Sequence, residues 1–180
     1  MHRVPGYLAA LGCAIILSQQ AKAQDLAPQY TKLGTFEGKL AGEPVRLVAV
    51  YDAEYDHSGL NLISVFGKPG LAIMARNVDA QGQLSRPTMT LSVGPVSPDG
   101  EAYEITEARL MDDQGRKRPL RARAENGTAR LESFSYDETG TLSLELSLDL
   151  TRVEREGGQY TPVEGAANVL LSGRFEGKLR

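Results

Sequence analysis

Leu142, Leu144, Leu146, Leu148 and Leu150 occupy every second position of one segment, with Ser143, Glu145, Ser147 and Asp149 between them. Successive side chains of an extended chain point to opposite faces, so the segment has one wholly leucine face and one wholly polar face. Such a strand packs one side on a core and leaves the other in water, the pattern of an antiparallel sheet and not of a doubly buried parallel one. Coiled as a helix, the same leucines would be spread around the cylinder and form no stripe.

Shorter runs of the same kind fill the rest of the chain: Thr35 to Ala41, Val45 to Tyr51, Leu60 to Phe66, Leu71 to Arg76, Thr88 to Val93, Leu120 to Ala124, Ala129 to Tyr136 and Val169 to Leu179. Turn residues separate them, among them Asp56-His57-Ser58-Gly59, Ser97-Pro98-Asp99-Gly100, Asp112-Asp113-Gln114-Gly115 and Glu138-Thr139-Gly140. Glycine, asparagine and aspartate tolerate the positive φ that tight turns require. Asn126-Gly127 predicts a hairpin in which Leu120 to Ala124 pairs with Ala129 to Tyr136. Glu101 to Met111 has mixed spacing and is read as a strand because its neighbours are strands. The expected fold is all-β: a single antiparallel β-sandwich or flattened β-barrel of 8–10 strands.

Phe36-Glu37-Gly38-Lys39-Leu40 recurs letter for letter as Phe175-Glu176-Gly177-Lys178-Leu179, a separation of 175 − 36 = 139 residues. That is too far for a tandem repeat. Identical faces in the first and last runs suggest similar surroundings, and side-by-side pairing would remove two open edges.

The start of the chain reads as an export signal. His2 and Arg3 form a short positive region, Tyr7 to Leu17 an apolar one, and Ala21-Lys22-Ala23 a small-x-small cleavage site. The expected organisation is therefore a signal peptide over 1–23 and one all-β domain over 24–180. Cleavage near Ala23 leaves 180 − 23 = 157 residues and removes Cys13, the one cysteine, so the product has no disulfide. Cys13 follows Ala10-Leu11-Gly12, but the apolar run continues past it, which argues for cleavage at Ala23 over lipidation of the cysteine. Losing Arg3 and Lys22 leaves 18 basic against 23 acidic groups, moving the formal charge from −3 to −5. An acidic balance gives no general attraction to nucleic acid. No later stretch is apolar for long enough to cross a membrane as a helix. An outer-membrane barrel fits poorly, because several runs are polar on both faces and the chain ends in Leu179-Arg180.

With cysteine gone and His57 the sole remaining imidazole, most nucleophilic and metal constellations are closed. Asp52, Glu54, Asp56 and His57 cluster between two runs and are the candidate metal ligands, since hard cations take carboxylates and zinc adds imidazole. They lack the glycine and glutamate register of a calcium loop and match the composition of an exposed turn, so no metal, other cofactor or catalytic residue is assigned. The string G-x-S-x-G is absent, which leaves His57 without a flagged serine. Arg116, Lys117, Arg118, Arg121 and Arg123 place five cations in eight residues. They are the candidate anion-binding set, for guanidinium grips phosphate or carboxylate bidentately. Basic residues on a strand also protect an edge from pairing.

Ser133-Phe134-Ser135-Tyr136-Asp137, Thr139-Gly140-Thr141-Leu142 and Ser172-Gly173-Arg174-Phe175-Glu176-Gly177 resemble a pattern of small exported bacterial β-proteins of uncharacterised role. The resemblance covers about the C-terminal third and implies a sandwich or barrel without implying an activity. The expectation is an exported envelope protein, periplasmic or secreted, acting as a non-catalytic binding or scaffolding module. Its partner would be an envelope protein or an anionic glycan or lipid headgroup, not nucleic acid. A carrier of small apolar ligands in a barrel cavity is the alternative, and a carboxylate-dependent hydrolase the third.

Overall fold

The computed structural model describes residues 25–95 and 103–180. The expected signal peptide, Cys13, the cleavage position at Ala23 and the turn at Ser97-Pro98-Asp99-Gly100 lie outside the described residues. The strands are β1 (Tyr30–Leu40), β2 (Glu43–Asp52), β3 (His57–Ser58), β4 (Leu60–Val65), β5 (Lys68–Val78), β6 (Leu84–Pro95), β7 (Tyr103–Met111), β8 (Leu120–Ala122), β9 (Ala129–Tyr136), β10 (Thr141–Glu156), β11 (Gln159–Pro162) and β12 (Val169–Lys178). Among the described residues the one helical element is a 3-10 turn at Ala124–Asn126, and no helix is long and apolar enough to cross a membrane.

All twelve strands form one antiparallel sheet, and a ring runs through eight of them in the order β1, β12, β10, β8, β7, β6, β5, β2 and back to β1. The chain is thus all-β, with a sheet curled into a flattened barrel. Two short strands, β3 and β11, raise the number above the expected 8–10. Two seams of the ring are thin. β2 meets β5 at the single pair Val48↔Arg76, and β8 meets β10 at Thr151↔Arg121 and Arg152↔Leu120.

The repeated pentapeptides lie beside one another. Phe36 faces Phe175 across β1 and β12, with Gly34 opposite Gly177 and Gly38 opposite Gly173. Both phenylalanines are fully buried. The Phe36 ring lies over Gly38 and Gly173, where an added Cβ would come within 2.9 and 2.8 Å of its tip. The Phe175 ring lies over Gly34 and Gly177, at 2.4 and 2.8 Å from such an added atom. At Gly38 the added carbon would also stand 2.1 Å from the Ser172 carbonyl, so only glycine lets the two strands and two rings pack this closely.

The interior is one apolar cluster. It joins these rings to Leu142, Leu144, Leu146, Leu148 and Leu150 of β10, each at most 2% exposed, and to Leu47, Ile73, Met89, Leu91, Ile105 and Leu110. Apolar inside and polar outside on β10 is the reverse of a lipid-facing barrel strand with a wet lumen.

Two local readings change. Asn126-Gly127 does not join a hairpin: β8 pairs with β7 and β10, while β9 pairs with β10, so β8 and β9 are successive lengths along the same edge of β10. Residues 124–127 are a blister pinched off by Thr128, whose hydroxyl accepts from the Arg123 N–H at 3.0 Å and donates to the Arg123 carbonyl at 3.2 Å. Gly127 closes the 3-10 turn at φ 66, a conformation that asparagine-glycine satisfies as readily as a hairpin turn. On β7, Ser92 opposes Glu107 while Val93 opposes Ile105, leaving Thr106 as an extra residue. That bulge puts Ile105, Ala108 and Leu110 all inward and produces the mixed spacing seen in the sequence.

Replacing Gly38 or Gly173 by alanine is expected to cost about 1–3 kcal/mol by overpacking, and Phe36→Ala about 3–5 kcal/mol. Ser147→Ala on the polar face should change stability by no more than about 0.5 kcal/mol. Urea denaturation of the four variants tests this ordering, and glycine variants as stable as wild type would contradict the packing described.

Candidate functional site

The five cations expected from sequence are dispersed by the fold. Arg116, Lys117 and Arg118 sit on an exposed loop between β7 and β8. The loop is pinned at both ends. Arg152 of β10 donates to both carboxylate oxygens of Asp112, at 3.0 and 2.5 Å, and to the Arg118 carbonyl at 2.7 Å. Arg118 itself bonds Glu154 at 3.0 Å. Inside the loop Asp112 Oδ1 accepts from the Gln114 N–H at 3.1 Å, and Gly115 turns with φ 71. Lys117 contributes its carbonyl to the Arg155 N–H at 2.8 Å.

Arg121 points outward from β8 and bonds Glu107 of β7 through two guanidinium nitrogens. Arg109 bonds the same oxygen, Glu107 Oε1, at 3.2 and 2.9 Å. Burial pushes the Glu107 carboxyl up, but the two guanidinium groups outweigh that and hold it below its ordinary 4.5. Asp112 behaves alike: burial raises it, and Arg152 with the Gln114 N–H takes it below 3.8.

Tyr160 of β11 collects arginines. The guanidinium carbon of Arg121 lies 3.9 Å from its ring centroid, that of Arg109 5.5 Å and that of Arg155 5.8 Å, each within cation–π range. Beside the ring opens a pocket of about 250 Å³ lined by Arg109, Met111, Arg116, Pro119, Arg155 and Tyr160. A second hollow of about 260 Å³ also borders Tyr160 and is lined by Arg121 and Arg123 among others. Arg123 is bonded to Glu125 at 2.6 Å, while its Nε is buried and makes no hydrogen bond. Glu107, Asp112 and Glu154 are each bonded to an arginine other than Arg116 and Arg155. Among the described residues neither Arg116 nor Arg155 has an ion pair. The arrangement is therefore a fixed cationic pocket with an aromatic wall and unspent donors.

Sequence reasoning named Arg116 but missed Arg109, Arg155 and Tyr160. Arg109 comes from β7 and the other two from the β10–β11 hairpin. The usable signal was Gly157-Gly158, whose φ values of 55 and 87 make the tight turn that returns β11 onto β10.

Asp52, Glu54, Asp56 and His57 occupy the β2–β3 turn. Asp52 Oδ1 accepts from the N–H groups of Glu54 at 3.0 Å and Tyr55 at 3.4 Å, while Asp56 accepts from the Tyr51 hydroxyl at 2.7 Å. His57 faces Asp52 across the ladder. Among the described residues no three His, Cys, Asp or Glu side chains are grouped to hold a metal ion. Two of these carboxylates thus shape the turn.

Comparison with models of protein families, with curated proteins and with solved structures found no match to the chain. Its pockets are read from their own chemistry.

Because Glu107 and Asp112 have lower values folded than unfolded, the stability they contribute is complete above the unfolded values and is lost as pH falls through the folded ones. The urea midpoint is expected to be level from pH 7 to roughly pH 5 and to fall below that. Glu107→Gln should make the acid limb shallower. A variant whose acid limb is as steep as wild type would mean that Glu107 is not held by its arginines.

Proposed function

We propose that the chain is a non-catalytic binding module of the bacterial cell envelope, exported behind the leader at 1–23, and that its ligand is a phosphate-bearing group taken at Arg109, Arg116 and Arg155 against Tyr160. The observation that carries this reading is the pair of arginines, Arg116 and Arg155, left without carboxylates on a pocket whose loop is clamped in place. Arginines converging from a loop and two strands suit the several oxygens of a phosphate better than the two of a carboxylate. The clamped loop holds the backbone that carries Arg116, so less backbone ordering entropy is lost on binding. In an exported protein the same chemistry is offered by anionic glycans and by lipid headgroups.

The filled interior supports an external binding surface over a carrier lumen, for the inward residues of β10 pack directly into the common core. The carboxylates with displaced titration also support binding over hydrolysis. Glu107 and Asp112 are moved down and locked to arginine, and Asp137 is moved down by the Thr139 hydroxyl and the backbone N–H groups of Thr139 and Thr141, whereas a general acid must be moved up.

Calorimetry with inorganic pyrophosphate and co-sedimentation with phosphatidylglycerol or phosphatidylcholine vesicles test the reading. Pyrophosphate is expected to bind the wild type with an affinity that falls with salt, and at least tenfold less tightly to Arg116→Glu/Arg155→Glu. Added capture by phosphatidylglycerol alone would mark a lipid source, and pyrophosphate binding without it a free or glycan-borne one. Equal affinity in the double variant, or no binding by either probe, overturns the proposal. Separately, mass spectrometry of the protein from an envelope fraction should find a chain beginning at Gln24. An unprocessed chain would remove the export reading.

A further inference from the structure

The sheet holds a second concave site, which shares no residue with the pocket at Tyr160. On β2 the inward side chains are Leu47 and Ala49, both fully buried, yet the outward Val48 and Val50 are only 7% and 6% exposed. Outward positions on a half-wet strand are ordinarily polar, so two valines there mark a patch kept from water. They form the floor of a hollow of about 280 Å³, with Met74 and Leu84 beside them and Tyr30, Asp52, Tyr55, His57 and Arg76 around the rim. Gly59 stitches the wall: its N–H donates to the Val50 carbonyl at 2.8 Å and its carbonyl accepts from the Met74 N–H at 2.7 Å. A Cβ there would stand 2.6 Å from the Met74 carbonyl, so only glycine lets β2 and β5 close at this point.

Arg76 is the unmatched group. It is half-buried, carries five donors, and its one side-chain hydrogen bond among the described residues runs from Nη2 to the Met74 sulfur at 3.3 Å. A thioether is a weak acceptor, so the other guanidinium donors stay available to a ligand that enters the hollow. Asp52, on the same rim, has Oδ1 engaged by the turn N–H groups, Asp56 accepts from the Tyr51 hydroxyl, and among the described residues no carboxylate forms an ion pair with Arg76. At the mouth stands Tyr55, 72% exposed, an aromatic ring left in water at the edge of an apolar floor. A floor of valine, methionine and leucine, one guanidinium without an ion pair among the described residues and an exposed aromatic rim together suit an amphipathic anion.

We propose that this hollow binds a small monocarboxylate with an apolar body, the carboxylate on Arg76 and the body on Val48, Val50, Met74 and Leu84, with Tyr55 against its open side. At about 280 Å³ the hollow lies at the small end of ligand pockets, which suits one ring or a short alkyl chain.

The test is chemical-shift mapping on the full chain with benzoate and hexanoate, using benzyl alcohol as a neutral body and acetate as a charge without one. Saturable shifts are expected at the Val48, Val50, Met74 and Leu84 methyls with benzoate, hexanoate or both, and at least tenfold weaker ones with benzyl alcohol and acetate. Arg76→Gln should weaken the binding carboxylate at least tenfold. Tyr55→Ala, a change at an exposed side chain, should weaken it several-fold without loss of fold, while Arg155→Glu should leave it unchanged. The proposal fails if neither carboxylate shifts these methyls, if benzyl alcohol binds as tightly as benzoate, or if the Tyr55 and Arg76 variants both bind as wild type. Pyrophosphate binding at Tyr160 is read on different residues, so either site can fail while the other stands.

Discussion

Two phenylalanine rings laid over four glycines hold the ends of the described sheet together. Phe36 and Phe175 face each other across β1 and β12, and each ring lies over a glycine of both strands. A side chain at any of those glycines would meet a ring or a carbonyl well inside contact distance. This close approach fixes the register of β1 on β12, because a slip by one residue would turn one ring outward and bring the glutamate and lysine of its strand in. The register of β12 in turn sets β10, whose first ten residues pair with it, and β10 carries β8, β9 and β11. The cationic pocket is thus built, several strands removed, on a packing arrangement at the seam between the chain's first and last strands.

Much of this architecture was legible because period-two alternation is a local signal that a one-faced sheet preserves. The leucine stripe of β10, the matched pentapeptides and the positive-φ turns are read directly from residue types. What the sequence hid were breaks in period. Thr106 bulges out of β7 and makes strand spacing resemble helix spacing. β10 continues beyond Leu150 to Glu156 after its phase shifts, with Val153 buried next instead of residue 152. The blister at 124–127 uses asparagine-glycine to interrupt one strand line, where the same pair would ordinarily turn a hairpin. Local chemistry in each case satisfies two backbone outcomes, and the long-range edge of β10 selects one.

The candidate sites were less legible, because each is made from strands far apart in sequence. Of the basic run, Arg116 alone lines the pocket beside Tyr160 with Arg109 and Arg155, Arg118 is spent on Glu154, and Arg121 is shared with Glu107. A cluster that is dense along the chain is thereby divided among structural ion pairs and free donors, and only the partners, invisible in sequence, say which is which. The hollow over β2 left a fainter trace. Leu47-Val48-Ala49-Val50 is apolar without alternation, which on a sheet otherwise wet on one side means a locally covered outer face.

Charge placement links these observations to the kind of work the fold can do. The chain is acidic as a whole, yet its most buried carboxylate pairs serve as struts: Glu107 ties β7 to β8, and Asp112 ties the basic loop to β10. Acids used in this way neutralise the arginines that hold the sheet together and, among the described residues, leave Arg116, Arg155 and Arg76 without an ion pair at concave surfaces. The inward leucines of β10 pack into the common core, and the hollows described above lie on the outside, where strands from distant parts of the chain bring arginine and tyrosine together. Arg116 and Arg155 are exposed and Arg76 is half-buried, so water meets their guanidinium donors until an anionic group replaces it. That asymmetry, acids spent as struts between strands and arginines left over at the hollows, is why both surfaces are proposed as sites for anions.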